Sequence, residues 1–207
     1  EGRDNDYLHE LVTLASDMSL SVEDFDKALK QTSAQIAELE TILEERIGDE
    51  SAALIFSGHQ LIISDEQFSG KIRTMIDQNV PAGDAILTMV NKYVELFSHS
   101  QNPVLREKTQ DIRDLGFRIL HNLVGAEPTA RDYQGRIVIA TELLPSDILK
   151  LSAQGVSGII LLSGSVTAHV SILVRSLELP LVVAGDKRLL DLHSGTHLLI
   201  DARQGSI

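Results

Sequence analysis

The sequence has no cysteine and no tryptophan, and aromatic residues make up only 4% of its 207 positions. Without cysteine there is no disulfide framework and no thiolate metal site, which fits a reducing compartment and a cytoplasmic protein. No apolar run approaches the roughly 20 residues needed to span a bilayer, and no basic segment followed by an apolar one stands at the N-terminus. Neither a membrane protein nor a visibly exported one is expected. Positive charge is also scarce: 18 basic residues against 30 acidic ones leave a net charge of −12. That balance opposes contact with nucleic acid or anionic membrane, and it suits a basic protein partner or simple solubility.

What is present divides into two halves with different periods. Through the first 125 residues apolar side chains return every three or four positions. One set is Ile36, Leu39, Leu43 and Ile47, and a second is Ile72, Met75 and Ile76. A third is Ile86, Met89, Val90, Tyr93 and Phe97, and a fourth is Ile112, Leu115, Ile119 and Leu123. Each set makes one face of a helix. Ser64 and Gln67 have the spacing of a capping box, Asn102-Pro103 reads as a helix start, and Gly125 reads as a stop. A small antiparallel helical bundle is expected.

From Ala126 onward, short β-branched runs appear at 137–139, 158–162, 181–183 and 197–200, with helix-like stretches at 146–153 and 168–177 between them. Strands alternating with helices predict an α/β layer with parallel pairing. The segment from Gly125 to Gly135, which contains Pro128, is the natural hinge. The expected division is therefore a lead-in over residues 1–20, a helical subdomain over 21–125 and an α/β subdomain over 126–207. The lead-in reads as the end of an upstream α/β strand. A chain opening at Glu1 without methionine reads as a fragment, with strands completing the sheet expected upstream.

The stretch from Ser163 to Pro180 carries the chemistry. A strand ending at Leu162 feeds a loop of small residues, then a helix whose first turn holds His169. Free N–H groups at a helix start, approached through Gly164 and Ser165, suit an anion. The positive end of the helix dipole disfavours imidazolium and leaves the ring nucleophilic. Histidine suits a relay because a phosphoramidate stores the phosphoryl group in transferable form. The hydroxyls of Ser165, Thr167 and Ser171 can add charge stabilisation. On spacing alone, a capping or core histidine is the commoner outcome.

The motif Gly164, Thr167, His169, Ser171, Ile172, Arg175, Leu177, Leu179 and Pro180 resembles the phosphohistidine signature of the phosphoenolpyruvate-utilising enzymes. Within them, Arg175-Ser176-Leu177-Glu178-Leu179-Pro180 is especially similar to the Enzyme I family of the bacterial phosphotransferase system. The helical half supports that narrower likeness through Ile55-Phe56-Ser57-Gly58-His59, Ile63-Ser64-Asp65-Glu66 and Asp111-Ile112-Arg113-Asp114-Leu115-Gly116. Departures are Ser165 for a second glycine, Val166 for arginine or proline, Ala168 for serine, and Leu144 for a threonine before Pro145.

The resemblance implies a swivelling α/β phosphohistidine domain joined to an α-helical carrier-binding bundle. It implies that His169, assisted by Thr167, takes a phosphoryl group from phosphoenolpyruvate and passes it to a histidine of a small HPr-like carrier. The substrate and its Mg2+ would be held by a C-terminal barrel, not by these residues. The carrier surface implied comprises Glu50, His59, Leu61, Ile62, Glu66, Phe68, Phe97, Leu105 and Lys108. Two other readings stay open. One is the swivelling domain of a pyruvate phosphate dikinase or phosphoenolpyruvate synthase, and the other is a non-catalytic binding module on the same fold. Sugar uptake, a nitrogen-related branch and a dihydroxyacetone kinase relay all use related modules. His193 and His197 lack helical alignment and a carboxylate cluster for a metal site. Ser69-Gly70-Lys71 and Gly155-x-x-Gly158 lack the context of phosphate loops.

Overall fold

The computed structural model describes residues 2–47, 51–125, 132–141, 143–162 and 168–207. The chain divides into two compact units, Glu1–Glu44 with Asp49–Pro128 and Glu45–Gly48 with Thr129–Ile207.

The first unit is helical: α1 (Gly2–Asp17), α2 (Val22–Ile47), α3 (Ser51–Ser64), α4 (Ser69–Asp77), α5 (Ala82–Ser98), α6 (Pro103–Glu107) and α7 (Thr109–Leu123). Its core collects the apolar stripes. Ile36, Leu43, Ile72, Ile86, Met89, Ile112, Leu115 and Ile119 are fully buried, together with Phe25 and Phe68. Each such side chain contributes roughly 1.5–3 kcal/mol of burial, which is what makes short helices stable here. α5 and α7 pack so closely that a Cβ on Gly116 would lie 2.5 Å from Val90 Cγ2, so the position admits only glycine without movement.

Helix boundaries follow local chemistry. Before α2, the Ser21 N–H donates to Asp24 Oδ2 at 3.0 Å, and Asp24 N–H donates back to Ser21 Oγ at 3.3 Å. That reciprocal pair satisfies two donors left over at a helix start, and its backbone bond to Ser21 lowers the Asp24 pKa. α4 ends with Asn79 at φ 64°, where Val80 N–H reaches back to Met75 O at 3.0 Å. Asparagine tolerates that left-handed turn better than most residues.

Two expectations for this unit need correction. Residues 2–17 are not the tail of a strand but helix α1, which packs on α5 and α7 through buried Leu11, Val12 and Ala15. The spacing of those three on one helical face is short enough to hide inside a weakly patterned segment. The capping box at Ser64 and Gln67 is also absent. Ser64 closes α3, and it is Asp65 Oδ1 that accepts from Gln67 N–H, at 2.9 Å.

The second unit is a three-stranded parallel sheet, β1 (Ile137–Ala140), β2 (Gly158–Leu161) and β3 (Leu181–Val183), in the order β1-β2-β3. Ile137 pairs with Gly158 and Ile159 with Leu181, so β2 is central and all four of its residues are buried. The crossovers are α8 (Pro145–Ala153) and α9 (Ala168–Ser176). At the start of α8, Leu144 offers no side-chain acceptor. Its carbonyl takes the Asp147 N–H at 3.0 Å instead, and the Asp147 carboxylate accepts from Leu144 N–H at 3.2 Å.

The strand expected over 197–200 does not form. Asp201 Oδ1 accepts from the N–H groups of Arg203 and Gln204, and only an isolated antiparallel bridge joins Asp201 to Ser206. Such local side-chain bonds compete with a ladder. The segment is anchored instead by Ile200, whose side chain fills the space where Gly158 lacks a Cβ, while Leu199 points outward.

Candidate functional site

In the α/β unit the chain leaves the carboxyl end of the central strand β2, passes through residues 163–167 and enters α9, of which His169 is the second residue. In open parallel sheets, ligand sites collect outside the carboxyl ends of the strands. α9 is seated by Val170, Leu173 and Val174, which recur at i, i+3 and i+4 and are all buried. This fixes which face of α9 is turned inward. Gly164, Ser165 and Thr167 lie outside the described residues, and Ser171 is the fourth residue of α9.

The far end of α9 explains much of the remaining motif. Glu178 takes φ 53°, Leu179 N–H bonds Val174 O at 3.0 Å, and Pro180 O then accepts from Ile159 N–H at 2.9 Å. Leu177 to Pro180 therefore turn the helix back into β3, a structural role. Arg175 is exposed on the last turn. Lying six residues from His169, it is about 240° around the helix axis.

The helical unit holds a polar cluster that the sequence did not single out. His59 of α3 is fully buried, with Nε2 3.4 Å from Asp114 Oδ2 of α7, and Arg118 Nε lies 3.1 Å from Asp114 Oδ1. Burial alone would raise the Asp114 pKa. The His59 imidazole and the Arg118 guanidinium outweigh it and hold the carboxyl below its ordinary value. Glu40 of α2 titrates in the opposite sense. Burial and the neighbouring Glu44 push its pKa up, against a smaller attraction from His59. Lys108, at the start of α7, pairs with Asp111 at 2.8 Å and lies across Gly58, where a Cβ would be 3.1 Å from Lys108 Cδ. The spacing of Asp114 and Arg118, four apart on one helix, was the available signal.

These placements divide the expected carrier surface. His59, Ile62 and Phe68 are buried and form no surface. Phe68 meets Tyr93 edge to face with centroids 5.2 Å apart, inside the core. An apolar or aromatic residue on a helix looks the same in sequence whether its face is inward or outward. Lys108 is largely covered and engaged by Asp111. Leu61 is 72% exposed, Leu105 and Glu66 are also exposed, and Phe97 is partly so. Glu50 lies outside the described residues. At the α3–α4 turn, Tyr93 Oη donates to Asp65 Oδ2 at 2.7 Å. Burial and then this carboxylate raise the tyrosine pKa to about 12.

The family model described as PEP-utilising enzyme, N-terminal, matches residues 8–108, and the one described as PEP-utilising enzyme, mobile domain, matches residues 132–205. The chain belongs to the PEP-utilising enzymes. Within that family it is 31% identical over 197 residues to the phosphoenolpyruvate-protein phosphotransferase of Latilactobacillus sakei, a match covering 93% of this chain and 34% of the relative. To the enzyme of the same name from Staphylococcus carnosus (strain TM300) it is 28% identical over 196 residues, with the same coverage. The chain thus spans about a third of the length of these curated relatives. Among solved structures it is similar to the NMR solution structure of Enzyme I (nEIt), with TM-score 0.64 and 28% identity over 83% of this chain and 70% of that one. The N-terminal domain of Enzyme 1 - Nitrogen shares the fold, with TM-score 0.61 and 24% identity over 79% and 67% of the two chains. The two matches follow the division of the structure into a helical unit and a unit built on a small parallel sheet.

Proposed function

We propose that this chain is the phosphoryl-transfer module of a phosphoenolpyruvate-protein phosphotransferase, in which His169 carries the phosphoryl group to a small HPr-like histidine phosphocarrier. The observation that carries this reading is the order of two family matches, a helical N-terminal segment followed by a mobile domain, with His169 at the start of the helix after the central strand. A dikinase or synthase reading explains the mobile domain but not residues 8–108.

The chemistry divides one difficult transfer into two. A neutral imidazole nitrogen of His169 attacks the phosphorus of the donor, and the donor oxygen or nitrogen leaves with its electron pair. The resulting phosphoramidate is then attacked by the carrier histidine, and the His169 nitrogen leaves. Thr167 is assigned to orient the ring, and Gly164, Ser165 and Ser171 to receive the phosphoryl oxygens. The carrier is assigned to the helical unit over exposed Leu61 and Leu105 together with Phe97 and Glu66, and Glu50 is assigned to it from the resemblance alone. An apolar centre with a charged rim suits a transient interface.

Phosphoenolpyruvate would be bound outside this chain, by a further C-terminal domain that also holds Mg2+. Among the described residues no group of three or more His, Cys, Asp or Glu is placed to hold a metal. Also among the described residues, no helix is long and apolar enough to cross a membrane.

The test uses labelled phospho-HPr. The chain should acquire acid-labile, base-stable phosphate, and His169→Ala should fold and acquire none. Full labelling of His169→Ala would remove the histidine from its role.

A further inference from the structure

α3 carries the exposed Leu61 on one side and the buried His59 on the other, two residues or about 200° apart around the helix. Wherever His59 is seated therefore decides where Leu61 points. The apolar contacts of α3, through Ile62 and Ile63, would tolerate a small rotation or slide, because dispersion and burial are weakly directional. The polar contact would not. His59 Nε2 meets Asp114 Oδ2 at 3.4 Å, and Arg118 Nε straddles the same carboxylate, donating to Oδ1 at 3.1 Å and to Oδ2 at 3.2 Å, all with side chains at or below 7% exposure. Around this contact lie Glu40 of α2, attracted by His59, and the Lys108–Asp111 pair at the N-terminal end of α7 beside Gly58. On the α2 side, Gln60 Nε2 donates to Ser33 O at 3.1 Å, and Ser33 Oγ donates to Gln60 Oε1 at 3.0 Å. Buried ionic groups add little net stability over apolar replacements of similar volume, and their best-attested use is to specify register.

We propose that His59, Asp114 and Arg118 are positioning residues that pin the rotation of α3 on α7 and so aim Leu61 at the carrier. This rests on the reading that the carrier docks on the helical unit. The polar pin fixes the aim of the docking face, and the apolar core supplies the stability.

The experiment measures phosphoryl exchange between the full chain and phospho-HPr, with KM for phospho-HPr and kcat determined separately and folding followed by circular dichroism. His59→Leu should stay folded and raise KM about tenfold with kcat unchanged. His59→Gln, whose amide nitrogen can occupy the place of Nε2, should bring KM back to within about threefold of the unsubstituted chain. An unchanged KM in folded His59→Leu, a fall in kcat instead, or glutamine no better than leucine would overturn the proposal. Should His59→Leu fail to fold, the isosteric Asp114→Asn carries the same expectation, and unfolding of both would make the cluster a stability element and overturn the proposal. Leu61→Glu separates the two levels. If it leaves KM unchanged, the carrier does not dock on α3 and both readings fall. If it raises KM while folded His59→Leu does not, only the positioning role falls.

Discussion

Phe68→Ala distinguishes a core residue from a docking residue most sharply. Phe68 has no exposed surface and meets Tyr93 edge to face at 5.2 Å. Truncating a buried phenylalanine costs about 3–5 kcal/mol from lost transfer energy plus the cavity left behind. The aromatic pair accounts for roughly 0.5–1.5 kcal/mol within that. For a chain of this size a loss of that order lowers the Tm by roughly 6–20 °C. Leu61→Ala is the matched control: at 72% exposure little apolar area is recovered from water in the fold, so its cost stays below about 1 kcal/mol. Thermal unfolding followed at 222 nm reads both variants. A Phe68→Ala protein melting within about 2 °C of the unsubstituted chain, yet unable to bind HPr, would show that the ring belongs to an interface and that the core assignment is wrong.

Gly116→Ala places a Cβ 2.5 Å from Val90 Cγ2 at the α5–α7 contact. Overpacking there should cost about 1–3 kcal/mol and lower the urea midpoint at constant m, and an unchanged midpoint would contradict the close approach. Tyr93 is held neutral by burial and by Asp65, so its contribution to stability is full below the ordinary tyrosine value of about 10 and is lost as pH rises through about 12. The difference in 295 nm absorbance between the unsubstituted chain and Tyr93→Phe should show this late titration, with Asp65→Asn moving it down; titration at about 10 in the unsubstituted chain would refute the bond. Incubation with phosphoenolpyruvate and magnesium alone should leave the chain unlabelled, whereas phospho-HPr labels it. Direct labelling from phosphoenolpyruvate would relocate the donor site into these residues.

Much of the fold was legible because periodicity reports which face of an element is buried. The stripes from Ile36 to Ile47, Ile86 to Phe97 and Ile112 to Leu123 became helices where their spacing placed them, and the β-branched runs at 137–139, 158–162 and 181–183 became strands to within a residue. The motif singled out His169 as the candidate, and the expected strand–loop–helix order placed it at the start of α9, where the structure has it. Local chemistry misled where two local options competed. Asp65 rather than Ser64 organises the α3–α4 turn, and the Asp201 turn displaces a strand at 197–200. Periodicity marks an apolar face without saying what covers it, so Leu61, Ile62 and Phe68 are indistinguishable in sequence. Only packing against α5 and α7 sorted the buried two from the exposed one. The sequence by itself determined the two periods, the acidic balance and the motif on which His169 is proposed as the phosphoryl acceptor. The tertiary structure alone decided that His59 is seated against Asp114 and Arg118, because residues 59 and 114 become neighbours only when α3 packs on α7.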